Sequence, residues 1–201
     1  MASGMSRAGF LRRGAVGSGA LLISGSGLAA VASAARADTL PDGDLAYLRL
    51  LIAAELLAVD FQTKALRGGK LRHAAHTLLR QIRADDTAHY DHLAAQLTDA
   101  GGTPATSADI DFRYPRGTFR SQASLLTMGG RLEHLLVGAY VGAVQNVQTP
   151  DLRLPLGQIA ANEAQHLGAL AGLRGEPVVG KAFGPALQMG AVSDALDEFE
   201  S

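Results

Sequence analysis

The sequence predicts an all-α protein: one bundle of four long helices, with a long crossover between the second and the third. Three observations lead there. The chain has 201 residues, 47% of them hydrophobic but only 5% aromatic, which suits a single domain with an aliphatic core. Apolar residues recur at helical spacing over four stretches bounded by glycine and proline. The connections between those stretches run short, long, short, the order expected of two antiparallel helix pairs joined by one crossover.

The first helix is expected from about Asp44 to Leu66, opened by Pro41-Asp42-Gly43-Asp44 and closed by Gly68-Gly69, with no Gly or Pro inside. The second runs from about Lys70 to Ala100 and ends at Gly101-Gly102. The stretch Gly101 to Thr118 follows, rich in Gly, Pro, Thr, Ser and Asp and without helical periodicity; it contains Tyr114-Pro115-Arg116-Gly117 and forms the crossover. The third helix runs from about Phe119 to Val147. The fourth runs from about Asp151 to Leu173, after the helix-starting Thr149-Pro150 and before Gly175, with Pro155 expected to delay or bend its start. At 1.5 Å per residue these are rods of roughly 33 to 46 Å, long for a globin-like packing and right for a bundle.

The chain is expected to divide into residues 1–37 as a cleavable export signal, 38–178 as the bundle, and 179–201 as a tail with a short helix. The first segment joins a basic stretch (Arg7, Arg12, Arg13) to an uncharged Ala/Gly/Leu run from Gly14 to Ala35, then Ala35-Arg36-Ala37 before Asp38. Its many Gly and Ser residues make it a poor permanent membrane anchor, although left uncleaved it would tether the protein. Arg12-Arg13-Gly14-Ala15-Val16 resembles the twin-arginine signal, and Ser6-Arg7-Ala8-Gly9-Phe10-Leu11 resembles the same consensus lacking its second arginine. Twin-arginine export is the expected route, with the general secretory route open, and the destination is the periplasm, envelope or medium. Export of an already folded chain would suit a protein that acquires its metal in the cytoplasm. Without cysteine there is no disulfide framework, thiolate zinc site, Cys nucleophile or lipid-modified cysteine. The net charge is −1; removing residues 1–37, with four arginines and no acid, leaves 14 bases against 19 acids, which disfavours nucleic acid as a partner.

The polar residues inside the helices repeat. Glu55 in the first helix precedes Asp86-Thr87-Ala88-His89 in the second, and Glu133 in the third precedes Glu163-Ala164-Gln165-His166 in the fourth. Glu55 to Asp86 is 31 residues and Glu133 to Glu163 is 30. Residues three apart share a helix face, so Asp86 with His89, and Glu163 with His166, each present two ligands side by side. The stripes Leu78, Ile82, Asp86, His89, Leu93 and Leu156, Ile159, Glu163, His166, Leu170 point both pairs inward. Glu55 lies within the apolar run Leu50 to Val59, where a carboxylate is costly unless a cation compensates it.

This arrangement, one glutamate from each of two helices and an acid-x-x-His pair from each of the others, resembles the ferritin-like di-iron and di-manganese carboxylate proteins over about residues 45 to 174. More narrowly, the segment Ile159-Ala160-Ala161-Asn162-Glu163-Ala164-Gln165-His166-Leu167-Gly168-Ala169-Leu170 is similar to the bacterial ferritin-like domain family related to desiccation-associated proteins. The tail with Pro177, Phe183 and Val192 to Phe199 is similar to it too. The resemblance implies a ferritin-like bundle in which Glu55, Asp86, His89, Glu133, Glu163 and His166 hold two iron or manganese ions, iron before manganese. It makes Glu55 and Glu133 candidates for bridging or terminal carboxylates. Asp86 departs from the family pattern, which has Glu there, and its shorter arm puts bridging at that helix in question.

A lone acid-x-x-His is ordinarily an exposed polar turn; two in register with two buried acids favour a metal site over a hydrogen-bonded core network. His73 and His76 are expected in solvent, His92 and His134 to face away from the centre, and Asp60, Asp91 and the acids from Asp194 to Glu200 to line solvated faces. Tyr140, seven residues after Glu133, has the reach to donate to a ligand, with plain core packing preferred. The function expected is iron oxidation or removal of peroxide or oxygen at a di-metal centre; a metal store, or a structural or stress-protective bundle with a degenerate site, is the alternative. A ferritin cage is disfavoured by the short tail broken by Pro177, Gly180, Gly184, Pro185 and Gly190. Expected partners are metal ions and small oxidants, and a homodimer is compatible with the bundle.

Overall fold

The computed structural model describes residues 40–200. The expected export segment, residues 1–37, lies outside them. Among the described residues five helices follow in order: α1 (Asp42–Arg67), α2 (His73–Asp99), α3 (Gln122–Asn146), α4 (Pro150–Leu173) and α5 (Met189–Asp197). The described residues hold no strand, only one antiparallel bridge between Phe112 and Glu200. None of the described helices is long and apolar enough to cross a membrane.

The hairpins α1/α2 and α3/α4 pack side by side, with α1 against α3 and α2 against α4. α5 lies across α1 and α3, a third neighbour for each. That position explains why α1 reads as apolar on every side: every residue from Leu50 to Ala58 is buried. α2 has no such cover and keeps a narrow inward stripe, Leu79, Ile82, Asp86, Leu93 and Leu97. The tail belongs to the same core, since Val192, Leu196 and Phe199 are buried in it.

The helix ends follow from capping chemistry. Gly69, Gly101 and Gly175 carry positive φ of 64°, 79° and 72° just past α1, α2 and α4, where a left-handed residue closes the last turn. α3 begins at Gln122 rather than Phe119, because Ser121 caps it in a reciprocal bond pair with Ser124 after the turn at Pro115 to Thr118. α2 begins at His73 rather than Lys70, after an extended Arg72 whose N–H donates to Gln122 Oε1. Pro155 does not delay α4, which starts at Pro150 and carries Pro155 within it. Buried Asp44 accepts from the N–H groups of Gln148 and Thr149, each at 2.9 Å, so the start of α1 satisfies donors at the α3–α4 turn.

The crossover is anchored through Tyr114, whose ring packs against Phe61, Phe119 and Phe199 at centroid distances of 5.1 to 5.9 Å. Its hydroxyl donates to Asp60, which also pairs with Lys64 at 2.7 Å. Asp60 is therefore a fixing point for the crossover and not the solvated residue expected.

Candidate metal centre

The six residues of the repeat meet at the middle of the bundle. Glu55 comes from α1, Asp86 and His89 from α2, Glu133 from α3, Glu163 and His166 from α4. The four acids and His166 are buried, and the His89 side chain is 13% exposed. Two groups form. Ligand atoms of Glu55, Asp86, His89 and Glu163 lie within 4.8 Å of one another, and so do those of Asp86, Glu133, Glu163 and His166. Asp86 and Glu163 belong to both groups, whereas Glu55 and Glu133 belong to one each. The paired acids of α2 and α4 are thus the two that reach both groups, and the lone glutamates reach one each.

Both imidazoles turn Nδ1 inward. His89 Nδ1 lies 2.7 Å from Glu163 Oε1 and 3.7 Å from Glu55 Oε1. His166 Nδ1 lies 3.2 Å from Glu163 Oε2 and 3.5 Å from both Asp86 Oδ1 and Glu133 Oε2. The two acid-histidine pairs, expected to point inward, face one another across the bundle, with the two rings 6.4 Å apart.

These atoms satisfy one another only in part. One oxygen of each acid (Glu55 Oε2, Asp86 Oδ1, Glu133 Oε2, Glu163 Oε1) and His89 Nδ1 are buried without a well-formed hydrogen bond, and several are held only by ion-pair approaches such as His89 to Glu163 at 2.7 Å and His166 to Glu133 at 3.5 Å. Because buried polar groups ordinarily complete their hydrogen bonds, four acids and two imidazoles crowded around one point make a poor core network on their own. They suit cations: carboxylate oxygens with imidazole nitrogens are a donor set for iron or manganese.

Protonation follows the crowding. Burial, then repulsion from Glu163 and Asp86, pushes Glu55 well above the carboxylate range. Burial first, then Glu163, raises Asp86 to about 7. Burial also raises Glu133 strongly. Burial works the same way on Glu163, but contacts with His166, His89 and Glu133 outweigh it and hold that acid at about 2. Burial would lower His166, and its contacts with Glu133 and Glu163 instead raise it to about 11.

Three side chains complete the surroundings. The Tyr140 hydroxyl donates to Glu55 Oε1 in a short buried contact, so it does more than fill the core. Gln62 donates from Nε2 to Asp86 Oδ2 at 2.5 Å. Asp85 Oδ2 lies 3.2 Å from His166 Nε2, fixing the ring from its outer side while Nδ1 faces the cluster. Sequence reasoning passed over Gln62 and Asp85. The signal for Gln62 was present: it stands seven residues after Glu55, as Tyr140 stands seven after Glu133. Asp85 had none beyond its place beside Asp86. His73, His76, His92 and His134 are exposed and join neither group.

The ferritin-like domain family model matches residues 43–176, from the start of α1 to just past α4. No curated protein matches the chain. Among solved structures, a hypothetical protein of Methanococcus jannaschii is similar, with a TM-score of 0.58 and 13% identity over 79% of this chain and 94% of that one. At that identity the likeness speaks for the fold alone. The bundle, its single crossover and a family match across all four bundle helices lead to one assignment: the chain belongs to the ferritin-like domain family.

Proposed function

We propose that this is an exported protein that holds two iron or manganese ions between Glu55, Asp86, His89, Glu133, Glu163 and His166 and acts on oxygen or peroxide. The observation that carries the reading is the convergence of four buried carboxylates and two imidazoles into two overlapping ligand groups, with hydrogen bonding among them incomplete. Bound there, the metals would supply one-electron redox chemistry. The chain's own part is to arrange charge. Asp86 and Glu163 are placed to serve both groups; Tyr140 fixes Glu55, and Gln62 fixes Asp86. Asp85 holds His166 from its outer side, so that the inner nitrogen faces the cluster. The aliphatic layers Leu51, Ile52, Leu136 and Leu156 exclude bulk water.

The test is to purify the protein from its native compartment, measure iron and manganese per chain, and follow peroxide and oxygen consumption by that material. Bound metal with turnover supports the reading. Bound metal without turnover makes the protein a metal store, and no metal makes it a structural bundle. Export is part of the proposal: intact mass of the exported chain should correspond to a start at Asp38, and a membrane-held chain retaining residues 1–37 would contradict it.

A further inference from the structure

The six inward residues are not equally shielded. Glu55, Asp86, Glu133 and Glu163 are buried, and the outer nitrogen of His166 is occupied by Asp85. His89 differs. It forms part of the wall of a surface depression of about 230 Å³ between α2 and α4, lined also by Ala88, His92, Pro155, Gln158 and Ile159. α2 against α4 is the most lightly packed of the four side-by-side helix pairs. Pro155 lines the gap from the α4 side.

The geometry points to this depression as the entrance by which a divalent cation reaches the His89 half of the cluster, with His92 as the first ligand at its mouth. The inference rests on the metal reading above. His92 follows His89 by one helical turn, so the two imidazoles stand in succession from the exposed rim to the buried groups. The rim, with His92, Gln158 and Ala88, carries no lysine or arginine to repel a cation, and the oxygen and nitrogen ligand atoms of the cluster lie behind it. The larger depression at the crossover, about 620 Å³, does not compete. It carries Lys64, Arg116 and Arg120 and contains no residue of the cluster.

Anaerobic stopped-flow uptake of Co(II), followed by its absorbance, tests the entrance on the full chain. Gln158→Trp and Ala88→Trp fill the mouth at exposed positions, and Ala84→Trp is a size-matched control outside it. Both mouth variants should load about tenfold more slowly, with the same number of ions bound at equilibrium and the same Tm. His92→Ala should slow loading severalfold, and Ala84→Trp should load like wild type. If wild type takes up Co(II) and both mouth variants load at its rate, the entrance is overturned while the metal reading stands. Slow mouth variants with an unaffected His92→Ala overturn only the role of His92. A wild type that binds no Co(II) at equilibrium overturns the metal reading and the entrance together.

Discussion

Glu55 and Glu133 carry the same physical problem: each is a carboxylate inside an aliphatic layer, and each is driven toward its neutral form by burial and by neighbouring acids. In the metal-free protein Asp86 shares it, with its carboxyl raised to about 7. A carboxyl raised on folding costs nothing while it is protonated in both states, and stability falls as pH rises through its folded value. His166, raised to about 11, adds stability below its ordinary range that is lost in the same direction, as pH climbs. Glu163, held at about 2, adds stability above the ordinary carboxylate range that is lost only as pH falls toward 2. The Tm of the metal-free protein should therefore fall between about pH 5 and pH 8, while metal-loaded protein should hold or gain stability, because protons compete with the metal for the same atoms. Calorimetry on both forms across that range checks this, and a metal-free Tm that rises with pH would contradict it. The buried ligand residues were readable from the sequence because charge inside an apolar stripe is expensive and leaves a mark. The supporting roles were less so. Gln62 and Tyr140 look like ordinary members of a mixed helix face until the partner helix is placed, and Asp85 points at a histidine 81 residues away.

On the scale of elements, the helices themselves were plain in the sequence, because glycine and proline punctuate them and the apolar period is sustained. Two starts shifted by three residues each. Phe119 continues the apolar pattern but lies before the Ser121 cap, so capping chemistry overrode periodicity. Lys70 follows the left-handed Gly69 but belongs to an extended link whose last residue, Arg72, is tied to Gln122. The tail's short helix was legible, since Val192, Leu196 and Phe199 stand at helical spacing, but the approach of Leu187 to α3 had no local signal. Leu187 N–H donates to the carbonyl of Gly138 at 2.9 Å, and a Cβ on Gly142 would stand 1.9 Å from Leu187 O. That contact is with backbone, so it cannot be relieved by turning a side chain. Gly142→Ala should gain up to about 1 kcal/mol of helix propensity and lose about 1–3 kcal/mol from the clash, for a net loss. The segment around Leu187 should also become more sensitive to protease. Urea unfolding with limited proteolysis measures both, and a variant more stable than wild type with an unchanged cleavage pattern would contradict the close approach.

Across the whole molecule, two helical hairpins meet so that each supplies one lone glutamate and one acid-histidine pair, and the repeat in sequence becomes an arrangement in space. The 31- and 30-residue offsets made that legible before any packing was known, since equal offsets in two hairpins put equivalent residues at the same height. Which carboxylates are shared was not legible, because it depends on how far α2 and α4 approach across the centre. Asp86 reaches both groups despite its shorter arm, with Gln62 holding its other oxygen. The central claim is that this point binds two cations, and anaerobic titration with Fe(II) or Mn(II) is its most direct measurement. Wild type should bind two ions per chain and gain thermal stability with metal concentration, because a ligand that binds only the folded state stabilises it by mass action. His166→Ala should lose at least one of them, Asp86→Glu should retain both, and His76→Ala should behave as wild type. A wild type that binds neither metal, with His166→Ala and Asp86→Glu both melting at its temperature whether or not metal is added, would contradict the claim.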